Sequence, residues 1–103
     1  MTDRTGAFAE IDKLIHEPAR LQILAHLYVV EEADFTFIAR QTGLTGGNLS
    51  SHMSKLTDAG YIEVEKEFVD NKPRTLLRLT ARGREAFDDY RRRMVSALDA
   101  LSG

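Results

Sequence analysis

The chain has 103 residues, of which 43% are apolar and 29% charged, a composition typical of one ordinary globular domain spanning residues 1–103. It contains no cysteine, which excludes disulfides and thiolate metal sites, and no apolar run near the roughly 20 residues that span a bilayer. The N-terminus also lacks the apolar stretch of a signal peptide, so we expect a cytoplasmic protein.

The formal net charge of −2 argues against nucleic-acid binding unless the charges are segregated along the chain. Residues 1–35 carry three basic and seven acidic side chains, whereas residues 66–84 carry six basic and two acidic ones. From Thr36 to Met53 the only formally charged residue is Arg40. The neutral and basic parts of the chain are therefore the candidates for contact with an anionic partner.

Apolar spacing and capping residues predict an order of five helices with one hairpin before the last. Pro18 suits the first turn of the second helix, Asp34 can cap the third, and Gly43 can end it. Two short helices joined by a tight glycine-containing turn form a helix-turn-helix pattern. The predicted elements are helices over 8–16, 18–31, 35–42, 46–59 and 81–101, and a hairpin with strands over 61–68 and 74–79.

The fourth predicted helix has two different faces, with Thr45 as its N-cap and Gly60 at its left-handed end. One stripe is apolar, and the other side is small, polar and almost uncharged. A solvated helix face is usually rich in Glu and Lys, whereas a face of Gly, Asn and Ser permits close approach, as in a DNA major groove. A poorly optimised surface helix is the alternative interpretation.

After Gly60 the apolar period changes to two, which predicts a half-buried strand with Ile62, Val64 and Phe68 facing inward. Turn-forming residues over 70–73 separate it from a second strand. The tip of this hairpin carries Lys72 and Arg74.

The last predicted helix is about 30 Å long and carries an apolar seam that this small domain cannot cover. Pairing with the same helix of a second chain is the economical solution, and folding back onto its own domain is the alternative. The predicted dimer-interface residues are Phe8, Ile11, Phe87, Tyr90, Met94, Leu98 and Leu101.

Three segments, in the right order, resemble bacterial and archaeal winged-helix repressors of the ArsR and MarR type. Residues 18–24 (PARLQIL) resemble the opening of these proteins, and residues 44–61 resemble their recognition helix and its exit. Residues 72–87, from KPRT through LT to Gly83 and Phe87, resemble the wing and the step into the last helix. The resemblance covers about residues 16–90 and is nearest to the small single-domain regulators between the two families.

This resemblance implies a mainly α fold with a two-stranded β-wing and a homodimeric transcriptional regulator, with repression favoured, that binds a pseudo-palindromic duplex. The helix from Thr45 would enter the major groove, and the wing tip would reach the neighbouring backbone or minor groove. Two departures matter: the chain has no clustered metal ligands of the ArsR kind, and it is too short to build much of a MarR ligand pocket. No effector can therefore be carried over.

The predicted DNA-contacting residues lie in the third and fourth helices and at the wing tip. Asn can read adenine, Ser is adaptable, and Lys favours guanine or phosphate. Gly46 and Gly47 either allow close approach of a phosphate or meet a turn requirement, and both interpretations stay open. The full set is Thr36, Arg40, Thr45, Gly46, Gly47, Asn48, Ser51, His52, Lys55, Lys72 and Arg74.

Metal binding and catalysis have little support in the sequence. His16, His26 and His52 are spaced too unevenly for a metal site, and no nucleophile elbow, P-loop or dinucleotide glycine pattern occurs. We expect no cofactor and no enzymatic activity. The competing function class is a winged-helix protein-interaction module without specific DNA binding, which the acidic N-terminal third keeps open.

Overall fold

The computed structural model describes residue 8 and residues 10–102, and it shows four α-helices with a three-stranded antiparallel sheet. The strand order is β1-β3-β2, so β3 is central. The predicted winged-helix architecture is confirmed. The elements are α1 (Pro18–Val30), β1 (Glu32–Asp34), α2 (Phe35–Thr42), α3 (Gly46–Asp58), β2 (Ile62–Val69), β3 (Lys72–Leu79) and α4 (Ala81–Ser102).

Side-chain caps define the helix starts. The Asp34 carboxylate accepts from the Phe37 amide at 2.7 Å, and the Thr45 hydroxyl accepts from the Asn48 amide at 3.2 Å. Both were predicted from the sequence, and each satisfies an amide that has no partner inside its helix. Glu17, which was not predicted as a cap, accepts from the amides of Ala19 and Arg20 at the start of α1.

The ends of α2 and α3 use glycines in the left-handed region, where a side chain is strained. Gly43 has φ 72° and Gly60 has φ 79°. After α3 the Tyr61 amide donates to the Leu56 carbonyl at 3.0 Å, and the Gly60 amide donates to the Thr57 carbonyl at 2.9 Å. This pair of bonds is the Schellman motif, and it turns the chain from α3 into β2.

A single apolar core joins the helices to the sheet. α1 lies at its centre, since three of its apolar side chains are fully buried, and α3 contributes the stripe predicted from its spacing. Fully or almost fully buried side chains come from all four helices and from β2 and β3, and in the outer half of α4 only the small side chain of Ala97 is buried among the described residues. They include Ile15, Ile23, Leu24, Leu27, Ile38, Leu49, Met53, Leu56, Ile62, Leu77 and Tyr90.

The predicted helix over 8–16 is wrong for its described part, because residues 10–17 form turns and bends. The Asp12 carboxylate accepts from the amides of Leu14 and Ile15, which offers the backbone an alternative to helical bonds. The apolar spacing had a different cause: Ile11 and Ile15 are buried in the core from within these turns. The segment is also tied to the end of α3, since the Tyr61 hydroxyl donates to Asp12 at 2.5 Å.

Two further corrections concern the sheet. Residues 32–34, for which no strand was predicted from the sequence, form β1 and pair with residues 76–78 of β3. The predicted turn over 70–73 is shorter, because only Asp70 and Asn71 lie between the strands, with φ of 53° and 63°. Positive φ at both positions is what a type I′ hairpin turn requires, and Asn and Asp tolerate it.

The sheet has two faces that the strand register defines. The inner face contains Ile62, Val64, Lys66 and Phe68 of β2 and their cross-strand partners Leu79, Leu77, Thr75 and Pro73. The outer face contains the alternate residues. Ile62, Leu77 and Leu79 are buried as predicted, but Phe68 is 77% exposed, because β2 extends beyond the core before it reaches the turn.

Gly83 permits the closest approach between α4 and the rest of the domain. A Cβ built on Gly83 would lie 2.0 Å from the Tyr61 carbonyl oxygen and 2.8 Å from a methyl of Leu79. At the same point the Thr80 hydroxyl accepts from the Gly83 amide at 2.9 Å and donates to the Gly60 carbonyl at 2.6 Å. The start of α4 is therefore fixed against the exit of α3.

We predict that Gly83→Ala lowers the free energy of unfolding by about 2 kcal/mol or more, since overpacking against backbone cannot be relieved by a rotamer change. Urea denaturation measures the change. Gly47→Ala is the matched control, because a Cβ there meets nothing within 4 Å. Alanine at that exposed helical position should leave stability unchanged or raise it by up to about 1 kcal/mol. Equal effects of the two substitutions would contradict the close approach.

Burial and the hydrogen bond to Asp12 raise the pKa of Tyr61 to about 12. Because the folded pKa lies above the unfolded value, the stabilisation is complete below about pH 10 and is lost as the pH rises toward about 12. We predict that Tyr61→Phe makes stability less dependent on pH in this window, as followed by denaturation at several alkaline pH values. An unchanged pH dependence in the variant would show that other groups cause the alkaline loss.

Candidate nucleic-acid interface

The outward stripe of α3, formed by Asn48, Ser51 and Lys55, is exposed along its whole length. These residues recur at three- and four-residue spacing, away from the buried stripe of Leu49 and Met53. Because the core holds the apolar stripe in place, the polar stripe must face away from the domain. The helix therefore presents side chains that can donate to and accept from base edges and phosphates.

Gly46 and Gly47 form the exposed first turn of α3. Neither has a positive φ, and the left-handed position of the helix-turn-helix belongs to Gly43. A Cβ on Gly46 would make only ordinary contact with Phe35 at 3.9 Å. The turn requirement considered from the sequence therefore does not explain these glycines, whereas accessible amides at a helix start are suited to an anion.

His52 lies on the flank of α3 that faces α1, and not in the outward stripe. The Arg20 guanidinium donates to His52 Nδ1 at 3.1 Å, and the Glu17 carboxylate lies 3.5 Å from the same nitrogen. These contacts join α3 to the capped start of α1. His52 therefore packs against the start of α1, and the DNA contact predicted for it from the sequence stays a prediction.

Glu17 holds this junction in its ionised form. Burial acts to raise the pKa of Glu17, but hydrogen bonds from the amides of Arg20 and Ala19 and the positive charge of Arg20 outweigh it, so that the pKa lies below its ordinary value. An ionised carboxylate at an N-cap also interacts favourably with the helix dipole. The Glu17 carboxylate therefore stays ionised near neutral pH, where it caps α1 and lies beside His52 of α3.

A groove of about 370 Å³ separates the other flank of α3 from the inner face of the sheet. Ser50, Ser54 and Thr57 line it from α3, and Lys66 and Thr75 line it from the hairpin. Ser50, Lys66 and Thr75 are not among the site residues predicted from the sequence. The two-residue alternation of β2 could have predicted Lys66, since it places this residue on the same face of the strand as Ile62 and Val64.

The predicted wing residues Lys72 and Arg74 both lie on the outer face of the sheet. Arg74 contacts Glu67 at 3.3 Å and Asp34 at 3.6 Å, so its charge is already balanced within the chain. Lys72 is exposed next to the turn. Of the two predicted wing cations, Lys72 is therefore the better placed to meet a phosphate.

The remaining carboxylates of the sheet gather on the outer face around one guanidinium. Arg78 contacts Glu32 at 2.9 Å, Glu65 at 3.2 Å and Glu63 at 3.5 Å. In contrast, no carboxylate in residues 10–102 lies within 4 Å of the basic groups of Arg40, Lys55, Lys66 or Lys72. The carboxylates of β1 and β2 are thus partly neutralised on the outer face, whereas Lys66 lines the groove beside α3 together with one carboxylate, Asp58.

The remaining predicted contacts are Thr36 and Arg40 on α2. Both are exposed, and both lie opposite the buried Ile38. Arg40 belongs to the last turn of α2, next to the turn that leads into α3. It can therefore contact a backbone that passes the start of α3.

The predicted dimer-interface residues divide into two groups. Ile11 and Tyr90 are only 6% and 5% exposed within one chain, and Tyr90 accepts or donates a hydrogen bond with His16 at 2.8 Å. These two residues therefore belong to the chain's own core, and Phe8, Phe87 and Met94 pack partly buried against it. Leu98 and Leu101 remain exposed on α4, together with Val95.

Other site types find no support in the described residues. Within residue 8 and residues 10–102, no three His, Asp or Glu side chains are placed to hold a metal ion. None of the helices in these residues is long and apolar enough to cross a bilayer.

The chain matches the family model of the winged helix DNA-binding domain over residues 19–98. It is 35% identical over 78 residues to an uncharacterised protein of Methanocaldococcus jannaschii, covering 76% of this chain and 85% of that protein. A transcriptional regulator homologue of Pyrococcus horikoshii has a similar structure, with 28% identity, a TM-score of 0.84 and 94% coverage of both chains.

A MarR-family regulator of Silicibacter pomeroyi shares the fold, with a TM-score of 0.64 and 20% identity over 95% of this chain and 65% of that one. The chain belongs to the winged-helix DNA-binding family. The winged-helix identification made from the sequence and the likeness to MarR-type regulators are confirmed.

Proposed function

We propose that the protein is a homodimeric transcriptional repressor that binds a pseudo-palindromic DNA duplex through α3 and the hairpin. The observation that carries this proposal is the exposed outward stripe of α3, whose only formal charge is Lys55, beside a groove to which the hairpin contributes Lys66. Two copies of α3 would enter successive major grooves about 34–36 Å apart. Occupying a promoter in this way would block transcription.

Each part of the interface has a distinct role. Asn48 and Ser51 would contact base edges, and Lys55 would contact either guanine or phosphate. Phosphates would be contacted by backbone amides at the start of α3 and by basic side chains around it. These groups are the amides of Gly46 and Gly47 and the side chains of Arg40, Lys66 and Lys72. Phosphate contacts set the position of a protein on DNA, and base contacts give specificity. Binding should therefore be strongly dependent on salt.

The first test is selection of bound duplexes from a random library at several salt concentrations. An enriched inverted repeat with half-sites about one helical turn apart supports a dimeric sequence-specific regulator. Enrichment of no sequence, with weak binding that disappears at physiological salt, would favour the protein-interaction module instead.

We predict that Lys55→Ala and Lys66→Ala each weaken binding to the selected duplex and reduce the slope of log affinity against log salt by about 1, since each removes one phosphate contact. Fluorescence anisotropy over a salt series measures both quantities. Arg92→Ala is the control, because Arg92 is an exposed cation on α4. An equal loss of slope in the control would show that binding follows overall charge and not the proposed surface.

The exposed apolar residues of α4 support self-association, since Val95, Leu98 and Leu101 are 53%, 51% and 38% exposed in one chain. We predict that Leu98→Glu converts the dimer to a monomer and weakens binding to the inverted repeat, because a charge cannot be buried there without a partner. Sedimentation velocity measures the assembly state. Ser96→Glu, on the opposite side of α4, should keep the dimer, and a dimeric Leu98→Glu variant would contradict this interface.

A further inference from the structure

Phe68 is a large apolar side chain that the fold leaves in water. It is 77% exposed and lies two residues before the hairpin turn, directly across from Pro73. The pair forms an apolar end to the inner face of the sheet. An exposed aromatic ring at a hairpin tip contributes little to the stability of this chain, and it is accessible to a partner.

The strand register determines the direction in which this apolar end points. Phe68 is on the same face of β2 as Val64 and Lys66, which line the groove beside α3. Four residues of strand carry the chain about 13 Å beyond Val64, at about 3.3 Å per residue. The minor groove beside an occupied major groove lies about half a helical turn away, about 17 Å. The apolar end is thus continuous with the α3 surface, and its distance from that surface is close to the distance between adjacent major and minor grooves.

The charges around Phe68 favour DNA over an apolar protein surface. Lys66 precedes it by two residues on the same face, and Lys72 lies next to its partner Pro73. Neither lysine has a carboxylate within 4 Å in residues 10–102. Lys66 is thus on the same face as Phe68, and Lys72 is at the same end of the hairpin on the opposite face. An apolar side chain close to such cations is the combination that minor-groove proteins use, with Phe or Pro inserted between base steps.

We propose that Phe68, supported by Pro73, is an apolar wedge that enters the minor groove beside each half-site, partly unstacks one base step and bends the duplex. This inference rests on the proposed DNA-binding function. Pyrimidine–purine steps such as TA and CA unstack most easily, so the wedge would select such a step without a hydrogen bond to any base. Specificity would then extend beyond the positions that α3 contacts.

The test uses the full-length protein and the inverted-repeat duplex enriched from the random library, with 2-aminopurine placed in turn at each step outside the two α3 sites. Unstacking raises 2-aminopurine fluorescence, and dyes at the duplex ends report bending by energy transfer. Phe68→Ala removes the wedge, and Phe68→Leu keeps an apolar side chain. Val69→Ala is the matched control, since Val69 is an adjacent exposed apolar residue on the outer face.

We expect wild type, Phe68→Leu and Val69→Ala to raise the fluorescence at one step beside each half-site and to bend the duplex. Phe68→Ala should lose both signals and bind about tenfold more weakly, while its melting temperature stays unchanged. Wild-type affinity and bending in Phe68→Ala, with binding still weakened by Lys55→Ala, would overturn the wedge and leave the proposed function intact. Absence of duplex binding by the wild type would overturn both.

Discussion

The arrangement of the DNA-facing elements depends on the hydrogen bonds of Thr80. Its amide donates to the Tyr61 carbonyl at 3.1 Å, its hydroxyl donates to the Gly60 carbonyl, and the same hydroxyl accepts from the amide of Gly83. Thr80 therefore joins four elements at one point: the end of α3, the start of β2, the end of β3 and the start of α4. Gly83 allows this approach, because any side chain there would overlap the Tyr61 carbonyl.

Much of this fold could be predicted from the sequence, because local signals agreed with the packing. Caps at Asp34 and Thr45 and the glycines at 43 and 60 gave the helix-turn-helix its boundaries to within one residue. The segment before Pro18 could not be predicted, since the spacing of Ile11 and Ile15 fits both a helix and a series of turns around one core. The side chain of Asp12 decides between them by bonding to local amides.

The candidate site was less predictable than the fold. Which residues belong to the site depends on which side of each helix or strand packs against another element. The sequence placed His52 within one turn of the outward stripe, but the proximity of Arg20 and Glu17 fixes it against α1. Lys66 alternates with the apolar residues Val64 and Phe68, and only the packing of α3 on the sheet shows that its side chain lines the groove. Such contacts are between distant parts of the chain, so local patterns do not determine them.

Charge segregation reconciles the net charge of −2 with a DNA-binding family. The carboxylates of β1 and β2 surround Arg78 and Arg74 on the outer face of the sheet. Their fields are partly neutralised there, and repulsion between them and a polyanion falls off within about a Debye length, about 8 Å at physiological salt. Lys66 on the inner face and Lys55 on α3 have no carboxylate within 4 Å in residues 10–102, so these two positive charges remain available to an anionic partner.

The same geometry separates two properties of the proposed dimer. α3 and the hairpin pack on one core and share the Thr80 junction, so the distance between them is fixed within each chain. In the proposed dimer, the distance between two copies of α3 would depend instead on the outer half of α4, whose side chains at Val95, Leu98 and Leu101 are exposed. The rigid core would then determine the contacts within a half-site, whereas the part of α4 that the core does not hold would determine the spacing of half-sites.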